Sequence, residues 1–398
     1  MYGNSIFGQI LKQLPGAVVQ DCASRYGTDR WRKSFKSWDH LVVMLSAQFS
    51  GALSLRDVET VFNSHDGHHY HLRSRAVKRS TLADANRDRD HRFFRDVALA
   101  LIDHGGRRQR RRRREMRGLV SILDSSLIRL QGRGLEWAAA SRTRAHNQGL
   151  KLHLQVDRSD ADIECFEVTD AHVSDIEPAR GVPLEEGRIY VFDKAYCDYN
   201  WWKEIADEGS CFVTRLKRNA AFECVEARAI EASDRGVILA DRVIRLTNKT
   251  PRAGKVNTLA GEPLRLVQIP HPGDDDKEFW IVSNALDASA AEIAGWYKQR
   301  WGIELIFKWI KQNLKIKRFM GESRNAILIQ IYVALIAYIL LKLYHKLTAT
   351  GAPKRLKDVL VLIRANLFAR PEIEHWRRRK REIEYERQHQ FCFRGAGS

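Results

Sequence analysis

Trp296-Tyr297-Lys298-Gln299-Arg300-Trp301-Gly302-Ile303-Glu304-Leu305-Ile306-Phe307-Lys308-Trp309-Ile310-Lys311 reads as one long amphipathic helix. At about 100° per residue, Tyr297, Arg300, Glu304 and Lys311 share a sector about 60° wide. Ile303, Ile306, Phe307, Ile310 and Leu314 gather on a neighbouring apolar face. An Arg–Glu pair at i,i+4 is ordinary on a solvated helix. It accounts for Arg300 and Glu304 but does not require Tyr297 or Lys311. A carboxylate, a guanidinium, a phenol and an ammonium thus line one stripe beside a buried surface.

Upstream, the pattern changes to period two and to short apolar runs, the marks of strands. Leu119–Leu123, Leu150–Val156, Ile163–Val168, Arg188–Phe192 and Cys211–Arg215 read as five strands, with a helix over Asn200–Glu208 between the last two. Three consecutive strands followed by crossover units predict a mixed α/β sheet. Asp124 closes the first strand and Asp193 the fourth. A carboxylate at a sheet rim, partly shielded from water, suits a divalent cation; the ordinary alternative is a turn or helix cap. Asp198, Asp157, Asp160 and Asp175 compete for the same rim, and His153 on the second strand is a further neighbour. From Leu216 to Ser283 the chain is again strand-rich, with runs at Gly236–Leu239, Leu264–Val267 and Phe279–Val282, and reads as a β insertion.

Residues 1–104 read as helical, with a capped start at Ser54 and Asp57 and another at Ser80. The two helices have the order of a helix-turn-helix DNA reader, and equally of a simple helical packing module. Between them lie His65, His68, His69 and His71; with no Cys or carboxylate at helical spacing, a structural metal is not expected. Gly105-Gly106 is expected to end the helical region. Arg107, Arg108, Arg110, Arg111, Arg112, Arg113 and Arg114 then form an exposed linker suited to phosphate contact, and Arg377–Arg381 adds a second basic cluster. The expected organisation is a helical domain 1–104, linker 105–118, sheet domain 119–215, β insertion 216–283, closing helices 284–350 and basic tail 351–398. With 398 residues, 44% hydrophobic and 29% charged, the composition excludes disorder and fibrous folds. A formal charge of +18 favours a polyanion as partner. Six scattered cysteines without a C-x-x-C pair read as reduced thiols. The N-terminal residues show no export signal. Ala326–Leu341 is apolar but only 16 residues long and interrupted by Gln330, so a core helix is expected, not a membrane span.

The stripe Y-x2-R-x3-E-x6-K resembles the YREK signature of DDE transposases of the insertion-sequence-four family, bacterial cut-and-paste elements. Tyr297, Arg300, Glu304 and Lys311 match it without a gap; Asp124 and Asp193 match the two Asp, the second opening the D-x-x-Y run Asp193-Lys194-Ala195-Tyr196. The resemblance implies a ribonuclease-H-like α/β fold with a β-rich insertion, preceded by a helical N-terminal domain that reads element ends. It implies that Asp124, Asp193 and Glu304 together bind two Mg²⁺ or Mn²⁺ ions for phosphoryl transfer. Tyr297, Arg300 and Lys311 would contact a DNA phosphate, and Trp280 is the aromatic singled out for stacking a flipped base. Double-stranded DNA, both element ends and target, is the implied partner, handled by a homodimer in a synaptic complex in the cytoplasm, associated with the nucleoid. The alternatives are a decayed element that binds DNA without turnover, and an endonuclease of the same fold that cuts without joining.

Overall fold

The computed structural model describes residues 5–110, 118–130, 134–138, 148–248, 256–271, 274–314, 316, 318–348 and 355–369. The chain divides into two compact units, Met1–Leu101 with Ile310–Ser398, and Ile102–Trp309. The first unit opens with α1 (Ile6–Leu11), α2 (Gly16–Arg25), α3 (Ser37–Ser50), α4 (Leu55–Asn63), the one-turn α5 (Asp66–His69), α6 (Arg79–Asp88) and most of α7 (His91–Arg110). At the start of α4, Ser54 Oγ accepts from Asp57 N–H and the Asp57 carboxylate accepts from Ser54 N–H, the reciprocal cap its sequence calls for. Helix α6 instead begins at Arg79, with Lys78 at the capping position and no side-chain cap bond. In the His-rich segment, His69 stacks on Phe62 and bonds its carbonyl, and His65 stacks on Phe368. Helix α7 does not stop at Gly105-Gly106 as expected. Neither glycine takes a positive φ, and the helix runs on to Arg110; a helical glycine costs only about 1 kcal/mol relative to alanine, too little to break a long helix. Arg107, Arg108 and Arg110 therefore lie on the last turn of a helix, while Arg111–Arg114 and Arg377–Arg381 fall outside the described residues.

The second unit is built on one nine-stranded sheet. Its first three strands, β1 (Val120–Arg129), β2 (Gly149–Asp157) and β3 (Ile163–Asp170), form an antiparallel meander. After the short α8 (Ile176–Arg180), β4 (Ile189–Phe192) pairs parallel with β1; after α9 (Tyr199–Asp207), β5 (Cys211–Arg215) pairs parallel with β4. Then come β6 (Phe222–Ala227), β7 (Ala240–Leu246), β8 (Pro263–His271) and β9 (Asp274–Ser283), all antiparallel to their neighbours. The order β3-β2-β1-β4-β5-β9-β8-β7-β6 places a ribonuclease-H-like arrangement in the first five positions. The β insertion is continuous with it, because β9 pairs with the outer edge of β5 through Val213↔Ser283 and Arg215↔Ile281. Gly236–Leu239, expected as a strand, instead leads into β7: Gly236 adopts φ 88°, which an extended ladder does not accommodate.

The sheet core is aromatic. Trp201 and Trp202 of α9 are buried against Phe192, Tyr196 and Phe212, and burial of such rings dominates the energetics of a core. Two buried arginines lock neighbouring strands together. Arg188, just before β4, pairs with Glu164 of β3 and Glu185 and bonds Ser121 of β1. Arg265 of β8 pairs with Asp241 of β7 and donates to the carbonyls of Leu286 and Ala288, each at 2.8 Å. That second arginine fixes the loop from which α10 (Ala290–Gln299) departs to lie against β4, β5, β8 and β9. Each charge is neutralised and hydrogen-bonded, which is what makes burial of an arginine tolerable.

Helix α10 is followed by α11 (Trp301–Asn313), and the chain then returns to the first unit with α12 (Arg324–Thr348) and α13 (Leu356–Asn366). The apolar run Ala326–Leu341 lies wholly within α12, a helix long and apolar enough to cross a membrane, whose residues are buried instead against α1, α3, α6 and α13. Residues 284–350 thus divide between the units, because the buried α12 finds its apolar partner in α3, itself buried over nearly its whole length. Asn325 fastens the start of α12, donating to the carbonyls of Asn86 and Arg89.

Candidate active site

Two parallel pairings set the geometry. The β1–β4 register ends at Leu123↔Phe192, so Asp124 and Asp193 occupy the next step of the same register. Adjacent strands lie about 4.8 Å apart, so these two carboxylates are brought side by side. Asp124 does not close its strand as expected: β1 continues to Arg129, with Asp124 opposite Leu154 of β2. What ends at Leu123 is the pairing with β4, and that leaves one side of Asp124 open. Asp193 does close β4; its carboxylate also accepts from Ala195 N–H to cap a single 3₁₀ turn, Lys194–Tyr196. Tyr196, the last residue of D-x-x-Y, is buried against Phe192 and Trp201 and anchors that turn.

The third carboxylate arrives from the late helices. The stretch Trp296–Lys311 is not one helix: α10 ends at Gln299 and α11 begins at Trp301, with Arg300 between. Around the break the backbone tightens, Arg300 N–H bonding Tyr297 O and Ile303 N–H bonding Arg300 O, both i→i−3. Arg300 Nη1 donates to Asp124 Oδ2 at 3.0 Å and Nη2 to Glu304 Oε1 at 2.8 Å. One guanidinium therefore joins two acids that lie 180 residues apart in the chain. Tyr297 is buried with its hydroxyl unpartnered, its ring edge-on to Phe279 and beneath the Arg300 guanidinium. Lys311 lies on the last turn of α11, beyond the boundary at which the second unit ends.

Burial raises the Asp124 pKa to about 6; the Ser125 N–H bond and Arg300 oppose this, and the charges of Asp193 and Glu304 add to it. Burial disfavours the Arg300 charge, yet Tyr297, Glu304, Asp124 and Asp193 together hold its pKa above the usual range. Arg300 is thus the cation of a crowded acidic site. No group of three His, Cys, Asp or Glu side chains is gathered at metal-binding separation among the described residues. The donor set nevertheless fits a hard cation: three carboxylates, one of them buried and reluctant to ionise without a positive neighbour.

Sequence reasoning missed Arg215. It ends β5 as Asp193 ends β4, two register steps past Val191↔Val213, and its Nη2 lies 3.2 Å from Asp193 Oδ2. The guanidinium rests 4.6 Å over the Phe279 ring. A charged residue closing a buried parallel strand was the available signal, the same one that marked Asp193. The competing residues have other employment. Asp198 caps α9 through the N–H groups of Asn200 and Trp201 and pairs with Arg180. Asp157 accepts from Ser159, and Asp175 binds Ser125 and Lys151. His153 is buried, bonds Thr169, and has its pKa lowered to about 4, mainly by burial. Trp280 is half-buried, packed edge-on to Phe222, whereas Trp301 beside Arg300 is 61% exposed.

The fold sets Asp124 and Asp193 at one step of the β1–β4 register and brings Glu304 to the guanidinium that Asp124 also binds, and comparison supplies the family. Residues 115–340 match the transposase DDE domain model, and residues 2–72 match a domain of unknown function. The chain is 34% identical over 295 residues to a protein named as a transposase in Sinorhizobium fredii, covering 73% of this chain and 78% of the relative. It is 26% identical over 309 residues to one named as an insertion-sequence transposase in Synechocystis, covering 77% and 83%. Among solved structures, the piggyBac transposase synaptic complex with hairpin DNA aligns over 93% of this chain and 80% of that one, with TM-score 0.50 and 12% identity. The chain belongs to the DDE transposase family.

Proposed function

We propose that this transposase cuts DNA at the ends of an insertion element and joins the freed 3′-hydroxyl to target DNA, with Asp124, Asp193 and Glu304 as its catalytic carboxylates. The observation that carries this reading is the convergence of Asp124 and Glu304 on one guanidinium, with Asp193 at the next strand end. These three side chains would hold two Mg²⁺ or Mn²⁺ ions, which when bound activate the attacking oxygen and stabilise the leaving oxygen of an in-line phosphoryl transfer. The protein's own contribution is charge and position. Arg300 bridges Asp124 and Glu304 and, as a planar fork, suits a phosphate oxygen pair once DNA arrives. Lys311 and the arginines Arg107, Arg108, Arg110, Arg111, Arg112, Arg113 and Arg114 would supply further phosphate contacts. Trp301 is 61% exposed whereas Trp280 is half-buried, so its exposure favours Trp301 over Trp280 for stacking an unpaired base. A homodimer bringing two ends together is the working assembly.

The test uses Asp124→Asn, Asp193→Asn and Glu304→Gln on a plasmid carrying an element end, in Mg²⁺ or Mn²⁺. Each should abolish nicking while gel-shift affinity for the end stays within about threefold, since none of the three is assigned to binding. Nicking retained by any variant removes that residue from the site. Cleavage without strand joining would redefine the protein as a nuclease.

A further inference from the structure

The first unit presents an aromatic ring where protein chains seldom leave one. Trp31 is 88% exposed and sits at φ 63°, in the left-handed region that a bulky residue rarely enters. The turn that holds it is closed by Arg32 N–H to Asp29 O, and a positive φ at its third position is ordinarily supplied by glycine. The strain is maintained because the segment is pinned on both sides. Asp29 Oδ1 accepts from both the Ser37 N–H and hydroxyl at 2.6 Å, and Thr28 Oγ1 lies 2.6 Å from Ser37 Oγ. The buried Arg89 donates to the carbonyls of Phe35 and Lys36. Between those anchors, Arg30, Arg32, Lys33, Ser34 and Lys36 are exposed, and Arg30 lies 5.5 Å over the Trp31 ring. Arg32 and Lys33 form no close ion pair among the described residues, although the Asp88 carboxylate feels the Arg32 charge, so the loop tip is an aromatic face beside clustered positive charge.

We propose that this loop, residues 27–36, is a DNA-contact element in which Trp31 stacks on an exposed base while Arg30, Arg32 and Lys33 engage the adjoining phosphates. This inference rests on the DNA substrate proposed above. It gives a role to part of residues 2–72, for which the family match assigns none. Strain held in place at an exposed side chain points to use, and an aromatic platform beside clustered Arg and Lys matches the requirements of an unpaired nucleotide. A protein partner would be served by the ring but not by the unpaired charges.

The experiment uses the full chain and a fluorescent duplex with a short single-stranded extension. Trp31→Gly removes the ring at a φ that glycine prefers, so it should raise Tm by about 2–5 °C while weakening DNA binding about tenfold. Trp31→Phe, which keeps a stacking face, should recover most of that loss. Arg32→Gln with Lys33→Gln should flatten the logarithmic dependence of affinity on salt by about 1.4–1.8. A Trp31→Gly protein binding as tightly as the unaltered chain, or an unchanged salt slope in the double variant, overturns the inference. Where the unaltered chain binds the probe and these variants bind equally well, the transposition reading stands and only the loop assignment fails. A parent chain that binds no DNA at low salt removes both.

Discussion

Replacing Arg300 with methionine keeps an apolar stem but removes the cation that joins two carboxylates. Arg300 is 12% exposed, Asp124 17% and Glu304 36%, so one arm of the bridge is nearly buried and the other half-solvated. Breaking a buried pair by deleting one partner costs about 3–5 kcal/mol, an exposed pair about 0–1. An arrangement between these limits gives about 2–3 kcal/mol at neutral pH. For a unit of roughly 200 residues that is a fall in Tm of about 4–12 °C. The penalty should depend on pH in a definite direction. Asp124 titrates near 6 in the folded protein and lower when unfolded, so the folded state binds the extra proton, and its neutral form favours folding below that value. Below pH 6 the variant should therefore approach the parent, and above it the two should diverge. A divalent cation should replace the missing charge: at a hundred times its Kd, Mg²⁺ stabilises by about 2.7 kcal/mol, and the gain should be larger in the variant, where no guanidinium competes. Thermal unfolding followed by circular dichroism at pH 5 and 7.5, with and without Mg²⁺, reads all of this. Equal stability of parent and variant at pH 7.5, with the same Mg²⁺ shift in both, would refute the bridging role.

Arg215→Met removes the guanidinium that pairs with Asp193 and should raise the divalent-ion concentration needed for half-maximal cleavage about tenfold, with metal-free DNA binding nearly unchanged; an unaltered metal dependence counts against the positioning role. His40 is fully buried, bonds Asn86, and has its pKa lowered to about 3 by burial and then by Arg89, so the unfolded chain takes up a proton first as pH falls. Denaturant titrations should show about 2 kcal/mol lost between pH 6.5 and 5 on this account, and His40→Gln should flatten that slope. Gly149→Ala places a methyl group against the Ile128 carbonyl across the β1–β2 ladder, where backbone must move; a loss of about 1–3 kcal/mol is expected in the same titration, and a neutral result would show that the ladder yields there.

The piece of the site that reads most directly from the chain is local. Alternation announced β2 and β3, a short apolar run announced β4, and the capping pair Ser54–Asp57 announced α4, because burial and dihedral preference act over a few residues and leave a period behind. The positions of the proposed carboxylates Asp124, Asp193 and Glu304 were legible for the same reason: two follow apolar strand segments and one sits on an amphipathic stripe. Helical periodicity even anticipated that Arg300 and Glu304 share a face. It did not anticipate the break at Arg300, since a tightened turn leaves the apolar spacing intact.

What the sequence by itself determined, then, is the set of elements and the chemical character of their faces: α/β, basic, with acids at strand ends and a phenol, guanidinium and carboxylate on one late stripe. Only the tertiary structure decided which faces meet. It set Arg215 beside Asp193 and made Arg300 the shared partner of Asp124 and Glu304. It merged the insertion with the sheet through β5 and β9, gave α12 to the helical unit, and held Trp31 in a conformation that its own side chain opposes. Each of these is a pairing between segments far apart in the chain, or a strain borne by distant anchors. No local preference encodes such pairings; they follow from strand register and from which apolar surfaces remain to be covered.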